Sequence, residues 1–291
     1  MSVDNFIPEV TRAEVQQAFA RGPVVIPTLT PVPEGDIKIG NAVKIIQPYA
    51  GQARDFTGAF EPDELAGGDV TVLIDRKRFV SQRVDDVDRR QAAGSLDQFT
   101  DSQGLTLARD ADEYTIHAMI AGAGTGPTAI IDSVAKAKTA VRALAKALDQ
   151  AEVPEDGRYL LCDAEGKSLL VEAIGDSNAT QASGDELRKN VIGTFAGFTV
   201  IWSNAFPTGI AGGPGSGAKF LAYHESSAAF AGQIEETKAA SPANDFADYV
   251  SSLSVYGAKV VRPGTVITGG FAPEDLALLV EPLYPAAPTE G

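Results

Sequence analysis

The sequence predicts an α+β fold. Helical and extended patterns follow one another irregularly, a long extended hairpin spans Asn41 to Ile74, and one unusually long, largely polar helix comes after it. Hairpin and helix both have more length than local core to bury in. Their packing partners are therefore expected to be other copies of the same chain.

The N-terminal residues Thr11-Arg12-Ala13-Glu14 form a capping box, with Val10 and Val15 placed as a hydrophobic staple, so a short helix is expected up to Gly22-Pro23. Val24 to Ile39, with Pro27, Pro31 and Pro33 after Pro23, reads as an extended arm and not as a packed element. Asn41 to Ile46 alternates as one strand of the hairpin, and Val70, Val72 and Ile74 share a face of the second. The connection from Gln47 to Gly68 is polar and turn-rich, and its roughly 20 residues far exceed the usual hairpin loop of about 2–5. A flexible surface loop is the plain alternative for these residues.

In the long helix, apolar or small residues recur at Ala92, Leu96, Phe99, Leu107, Ala111, Tyr114 and Ala118 and keep one narrow stripe. Val87 to Ala118 would span about 45 Å at 1.5 Å per residue. Asp85, Asp86 and Asp88 are expected at its start, where carboxylates favour the positive end of the helix dipole. Gly94 and Gly104 each cost about 1 kcal/mol in a helix interior, so two shorter helices with a break near Gly104 are the alternative. A polar helix with so thin a seam suits a strut across a subunit better than a core element.

After the boundary at Gly122 to Pro127 a second helix follows the spacing of Ile131, Val134, Val141, Leu144 and Leu148, with the Lys138 stem along its stripe, and stops before Val153-Pro154. Arg158 to Cys162 and Ser168 to Val171 read as a strand and a short apolar segment around a turn at Glu165-Gly166. Val191 to Trp202 is β-prone, with Phe198, Val200 and Trp202 alternating. A helix near Ser226 to Glu236, a β-rich stretch from Val255 to Thr268 and a loose Pro/Ala-rich tail from Pro282 complete the pattern.

A hydrophobic fraction of 44% is ordinary for a folded chain, and 291 residues allow one or two domains. No run of 18 apolar residues predicts a membrane span, and Met1 to Asn5 lacks the features of a secretory signal. The one cysteine, Cys162, cannot form an internal disulfide, which suits a reducing cytosol. With 39 acidic against 24 basic residues the net charge is −15, which argues against free binding to nucleic acid. Solubility accounts for such a charge, and an acidic wall would also confine DNA without adhering to it.

Chemistry finds little footing. Gly212 to Lys219 imitates a phosphate-binding loop, but Ala218 intervenes before Lys219 and Phe220 stands where a magnesium-holding hydroxyl is needed. A nucleotide-dependent enzyme using this loop is nonetheless kept as an alternative. His117, His224 and Cys162 are too few and too scattered for an ordinary zinc site, and Cys162 in its apolar run reads as an inert buried thiol. His224 reads as a turn or capping residue. No catalytic, cofactor-binding or metal-binding residue is expected.

In this order the blocks resemble the major capsid proteins of tailed bacteriophages, with the Hong Kong-phage-like capsid fold. The carriers are Asp69 to Ile74 running into Val84-Asp85-Asp86-Val87-Asp88 and its helix, Val153 to Leu161, Ser203 to Pro207, and Tyr256 to Pro263. The resemblance covers nearly the whole chain. It implies an N-terminal arm over 1–40, an extended E-loop over 41–84 lying on a neighbour, and a P-domain with the spine helix over 85–125. It further implies an A-domain over 126–222, a return to the P-domain over 223–281 and a flexible tail over 282–291. Arg54, Asp55, Phe56, Phe60 and Glu61 in the E-loop are then the expected assembly residues. The implied partners are further copies in hexamers and pentamers, a scaffolding protein, a portal, a decoration protein in some relatives, and packaged DNA bound without sequence preference. No membrane is implied. The implied location is the virion, with assembly in the host cytoplasm. An encapsulin-like nanocompartment shell of the same fold is the alternative, enclosing enzyme in place of DNA. Lys44 and Lys77 could carry a covalent crosslink of the sort some relatives make, but nothing in the sequence identifies one.

Overall fold

The computed structural model describes residues 22–31, 42–47, 68–85, 97–176, 191–206, 217–240 and 247–271. The expected N-terminal helix, the Gln47 to Gly68 connection with Arg54, Asp55, Phe56, Phe60 and Glu61, the helix start at 86–96 and the tail lie outside these residues.

Apolar alternation builds a mixed six-stranded sheet. Its strands, taken in chain order, are β4 (Gly124–Thr125), β5 (Arg158–Cys162), β6 (Val191–Phe195), β7 (Phe198–Trp202), β8 (Phe220–His224) and β11 (Val266–Gly269). Across the sheet the order is β4-β11-β8-β5-β7-β6, with parallel pairs only at β4/β11 and β5/β7. β6 and β7 are joined by Ala196 and Gly197, both at positive φ (51° and 83°), the conformation that a tight two-residue hairpin demands.

Period-two side chains divide this sheet between two cores. Leu160, Cys162, Val200, Phe220 and Ala222 face helices α2 (Val134–Gln150) and α3 (Ala164–Asp176), where they meet Val141, Leu144, Leu148 and Leu170. Leu161, Ile201, Leu221 and Tyr223 face the other way, onto Ile116, Met119 and Ile120 of the long helix α1 (Asp97–Ala121). α2 follows its expected spacing, with Val141, Leu144 and Leu148 wholly buried.

Two expectations on the sheet's flank give way to tertiary contacts. Ala164–Asp176 is a helix, not a turn between extended segments. The Asp163 carboxylate accepts the Gly166 N–H at 2.7 Å, a cap that starts the helix where Glu165-Gly166 alone suggests a turn. The stretch near Ser226 to Glu236 is strand β9 (Ala228–Ala240), not a helix, because it pairs along its length with β10 (Ala247–Val260). β10 begins well before the expected Val255.

The third surprise is strand β3 (Arg76–Asp85), which pairs antiparallel with β10 from Arg76↔Tyr256 to Asp85↔Ala247 and makes a second sheet of order β3-β10-β9. Asp85 therefore ends a strand and does not open the long helix. That helix runs unbroken through Gly104, which is buried, so the two-helix alternative falls for this part of the chain. It spans 25 described residues, about 38 Å.

α1 is also more than a strut. Its buried positions are Gln103-Gly104, Leu107-Ala108, Ala111-Asp112, Thr115-Ile116 and Met119-Ile120, a stripe displaced from the one expected, with Tyr114 and Ala118 only half-buried. Polar residues fill part of this face because they meet polar partners. The carboxylate of Asp112 accepts N–H bonds from Val24 (3.0 Å), Val25 (3.0 Å) and Ile26 (3.1 Å). Residues 22–31 are thus a packed segment and not an extended arm. Their one turn of 3-10 helix, Ile26–Thr28, aims three adjacent donors at one carboxylate, while Val25 and Leu29 are buried in the second core.

Burial pushes the Asp112 carboxyl above the usual carboxylate range, and the three N–H donors offset only part of that rise. Asp112→Ala would leave those donors without their acceptor, and a loss of about 3 kcal/mol is expected. Thermal melting checks the loss. Amide exchange at Val24, Val25 and Ile26 should accelerate well beyond that of α2.

Candidate assembly interface

The hairpin forms a sheet of its own. Among the described residues β1 (Ala42–Gln47) and β2 (Gly68–Leu73) pair with each other and with no other strand, from Ala42↔Leu73 to Gln47↔Gly68. Its strands are as the alternation of residues 41–46 and 70–74 predicts. Val72 is fully buried and Ile74 is 7% exposed, while the intervening Leu73 is 59% exposed. Val43 and Ile74 pack on Ala231 and Val255, and Val72 packs on Ala229 and Val261. One face of the hairpin root is therefore seated on β9, β10 and the residue after β10. The other carries an exposed ion pair between Lys44 and Asp69 at 2.8 Å.

Gly257 makes this seating possible. A Cβ there would collide with the Leu73 carbonyl, so β10 and the end of β2 touch backbone to backbone. Lys259 reaches across to the Thr71 carbonyl at 3.2 Å.

Behind the hairpin, α1 is fastened to the three-stranded sheet by polar groups. Arg78 of β3 meets Asp110 with two hydrogen bonds, 3.0 Å from Nε and 2.8 Å from its terminal nitrogen, and the Tyr256 hydroxyl donates to the same carboxylate. Gln103 donates to the Val250 carbonyl (3.0 Å) and to Gln82 (3.3 Å) and accepts from Ser252 (2.8 Å). Tyr114 packs edge-on against Tyr256 and lies under the Arg76 guanidinium. Burial raises the Asp110 carboxyl, but hydrogen bonds from Arg78 and Tyr256 and the charges of Arg78 and Arg76 outweigh it and hold it below the usual carboxylate range.

The residues that could have carried chemistry are structural. Lys219 is 2% exposed, its ammonium donates to the Gly270 carbonyl at 2.7 Å, and it lies over the Phe271 ring. A lysine committed in this way is not placed to reach a phosphate in solvent, which counts against the nucleotide-loop alternative; Gly212 to Ser216 of that loop lie outside the described residues. Cys162 is buried, donates to the Ile201 carbonyl, and has its thiol pKa driven far up by burial. His224 bridges Ser226 and the Asp156 carbonyl and so holds two turns together, close to the role expected of it. Among the described residues no three His, Cys, Asp or Glu side chains gather as metal ligands, and no helix is long and apolar enough to cross a membrane.

Comparison with known proteins agrees with this arrangement. A family model described as phage capsid protein matches residues 52–272. A chain of Mycobacterium phage Che8 superposes with a TM-score of 0.68 at 27% identity, over 86% of this chain and 90% of that one. The mature capsid of bacteriophage PhiM1 gives 0.60 at 13% identity, over 82% and 84%. A virus-like particle from Pyrococcus furiosus gives 0.59 at 12% identity, over 90% and 99%. No curated protein matches. The chain belongs to the phage capsid protein family: it has the Hong Kong-phage-like fold of a tailed-phage major capsid protein, the subunit that forms the shell.

Strand β3 and the packed segment at 22–31 are the parts of this surface that the sequence reading missed. A strand signal was present in β3, since Arg78, Val80 and Gln82 alternate with Lys77, Phe79 and Ser81, but its charges hide the period.

Two substitutions test the geometry. Gly257→Ala should destabilise the fold by about 2 kcal/mol, as overpacking does, and should expose the hairpin root to protease before the six-stranded sheet melts. Asp110 contributes stability that is present above its unfolded pKa, near 3.8, and is lost as pH falls through its lower folded value. Asp110→Asn should therefore cost about 2 kcal/mol at neutral pH, with the deficit in melting temperature shrinking below about pH 4.

Proposed function

We propose that this chain closes an icosahedral shell by laying the 41–74 hairpin over a neighbouring copy, with the long helix and the three-stranded sheet, β3 included, as the rigid body that receives and transmits the contact. The observation that carries this reading is the isolation of β1 and β2. They form a sheet of their own, seated by one face on β9 and β10, and their connection supplies about 20 further residues beyond that seat. Arg54, Asp55, Phe56, Phe60 and Glu61 lie in that connection and are the proposed contact residues.

The proposed division differs from the bounds implied by the resemblance in that β4 and β11, which fall in 85–125 and 223–281, join the six-stranded sheet. The six-stranded sheet with α2 and α3 is the proposed axial A-domain, whose loops gather around five- and six-fold axes in pentamers and hexamers. α1 with the β3-β10-β9 sheet is the proposed peripheral P-domain. The contacts are heterologous and close on themselves by rotation, so each can be weak while the shell is stable. The role is structural and not catalytic, and the core position of Lys219 supports it. Double-stranded DNA is the proposed content, held without sequence preference inside a wall of net charge −15. A scaffolding protein and a portal are the proposed assembly partners in the host cytoplasm, with a decoration protein where the virion carries one. The likeness to the Pyrococcus furiosus particle is one of fold at 12% identity, and the family match favours the phage shell over a cargo compartment.

Deleting Gln52 to Gly67 should leave a soluble, folded chain that fails to form stable particles. Electron microscopy of the purified variant checks it, and particles of normal yield and size would remove the hairpin from assembly.

A further inference from the structure

On strand β3, Lys77 and Phe79 stay exposed on the face turned away from α1. Arg78 is spent on Asp110 and Arg76 lies over Tyr114, which leaves Lys77 as an exposed cation beside Phe79 in a chain whose net charge is −15. Arg78 and Gln82 turn inward to α1, whereas Lys77, Phe79 and Ser81 point away from it. Phe79 is 74% exposed, the most exposed of the large apolar side chains among the described residues, and Leu253 lies directly opposite it on β10, half-buried. β3 is an edge strand, and among the described residues no strand pairs with its outer side. A cleft of about 330 Å³ follows that edge, lined by Lys77, Arg78, Phe79, Val80, Thr106 and Asp110 among others. An exposed lysine on an edge strand commonly guards against unwanted pairing. Phe79 serves no such purpose, and burying it would remove apolar surface from water.

The complement lies elsewhere on the same chain. Glu152, Glu155, Asp156 and Glu225 are all exposed, and they are brought together where the turn before β5 meets the end of β8. The Glu225 N–H donates to the Gly157 carbonyl, His224 holds the Asp156 carbonyl, and the Glu225 side chain lies over Gly157. The one guanidinium in this cluster, Arg158, is buried and spent on Asp149 and on the carbonyls of Val153 and Pro154. Among the described residues the turn therefore keeps an uncompensated negative charge at its surface.

We infer that the Lys77–Phe79 face and edge cleft of β3 receive the acidic 152–156/225 turn of a second copy of this chain. The inference rests on the shell reading above and goes beyond it by naming the two surfaces. Because they are different patches of one subunit, each copy offers both, and the contact is head-to-tail, the kind that builds rings. Opposite charges steer the encounter and fix the register, while Phe79 supplies the apolar centre.

Charge reversal tests it on the full-length chain. Lys77→Glu with Phe79→Glu should cut particle yield about tenfold by light scattering while leaving the melting temperature unchanged, since both side chains are exposed. Glu155→Lys with Asp156→Lys should do the same. The four substitutions combined should restore yield to within about threefold of the unaltered chain. Salt gives a second reading: at about 1 M, where charges are screened beyond ~3 Å, the difference in assembly rate between the unaltered chain and the reversals should narrow. Normal particles from either pair alone, or no recovery in the combination, would overturn the pairing and leave the shell reading intact. An unaltered chain that stays monomeric under all these conditions would overturn both.

Discussion

A single helix face carries the architecture. α1 buries polar side chains among its apolar ones, and three of its polar groups reach different parts of the chain. Asp112 gathers the backbone of residues 24–26, Asp110 takes Arg78 and Tyr256, and Gln103 takes Gln82, Val250 and Ser252. Buried polar groups are expensive unless satisfied, so these contacts admit one register of helix against strands and penalise every other. Leucines in their place would seat the helix as firmly, but would not say where along the sheet it should stop.

That choice suits a wall component. A shell subunit must hold its shape while its edges are pulled by neighbours, and a helix that could slide along its sheet would change the distance between those edges. The apolar end of α1, at Ile116, Met119 and Ile120, plugs into the six-stranded sheet. Its polar half grips the three-stranded one. One rigid element thereby sets the spacing between the two bodies. The hairpin, by contrast, is held at its root by two small apolar clusters and by the close passage of Gly257. Position is enforced where the subunit must be stiff. The extension beyond the root is the part proposed to find its surface on another copy.

Charge follows a similar logic. A strongly acidic chain repels its own copies at long range, which keeps it soluble before assembly. Against that background the exposed Lys77 on β3 is a local exception, and the proposed contact with the acidic turn uses it to select one orientation of approach. Such a contact, repeated around a closed shell, gains from multivalency what it lacks singly.

The sequence by itself determined the elements whose period is set by local burial. The α2 spacing at Val141, Leu144 and Leu148, the hairpin face at Val72 and Ile74 and the strand at Arg158–Cys162 could all be read from residues a few positions apart. So could the capsid class, from the order of its blocks. Tertiary structure decided the rest. Residues 22–31 look like a proline-rich linker until Asp112, some 87 positions away, supplies acceptors for three of its donors. Ser226 to Glu236 has a helical composition and becomes a strand because β10 lies alongside it. Arg76 to Asp85 looks like a charged connection until α1 and β10 take up alternate side chains. In each case the deciding partner is remote in sequence. Its hydrogen bonds outweigh a local preference worth at most about 1 kcal/mol per residue.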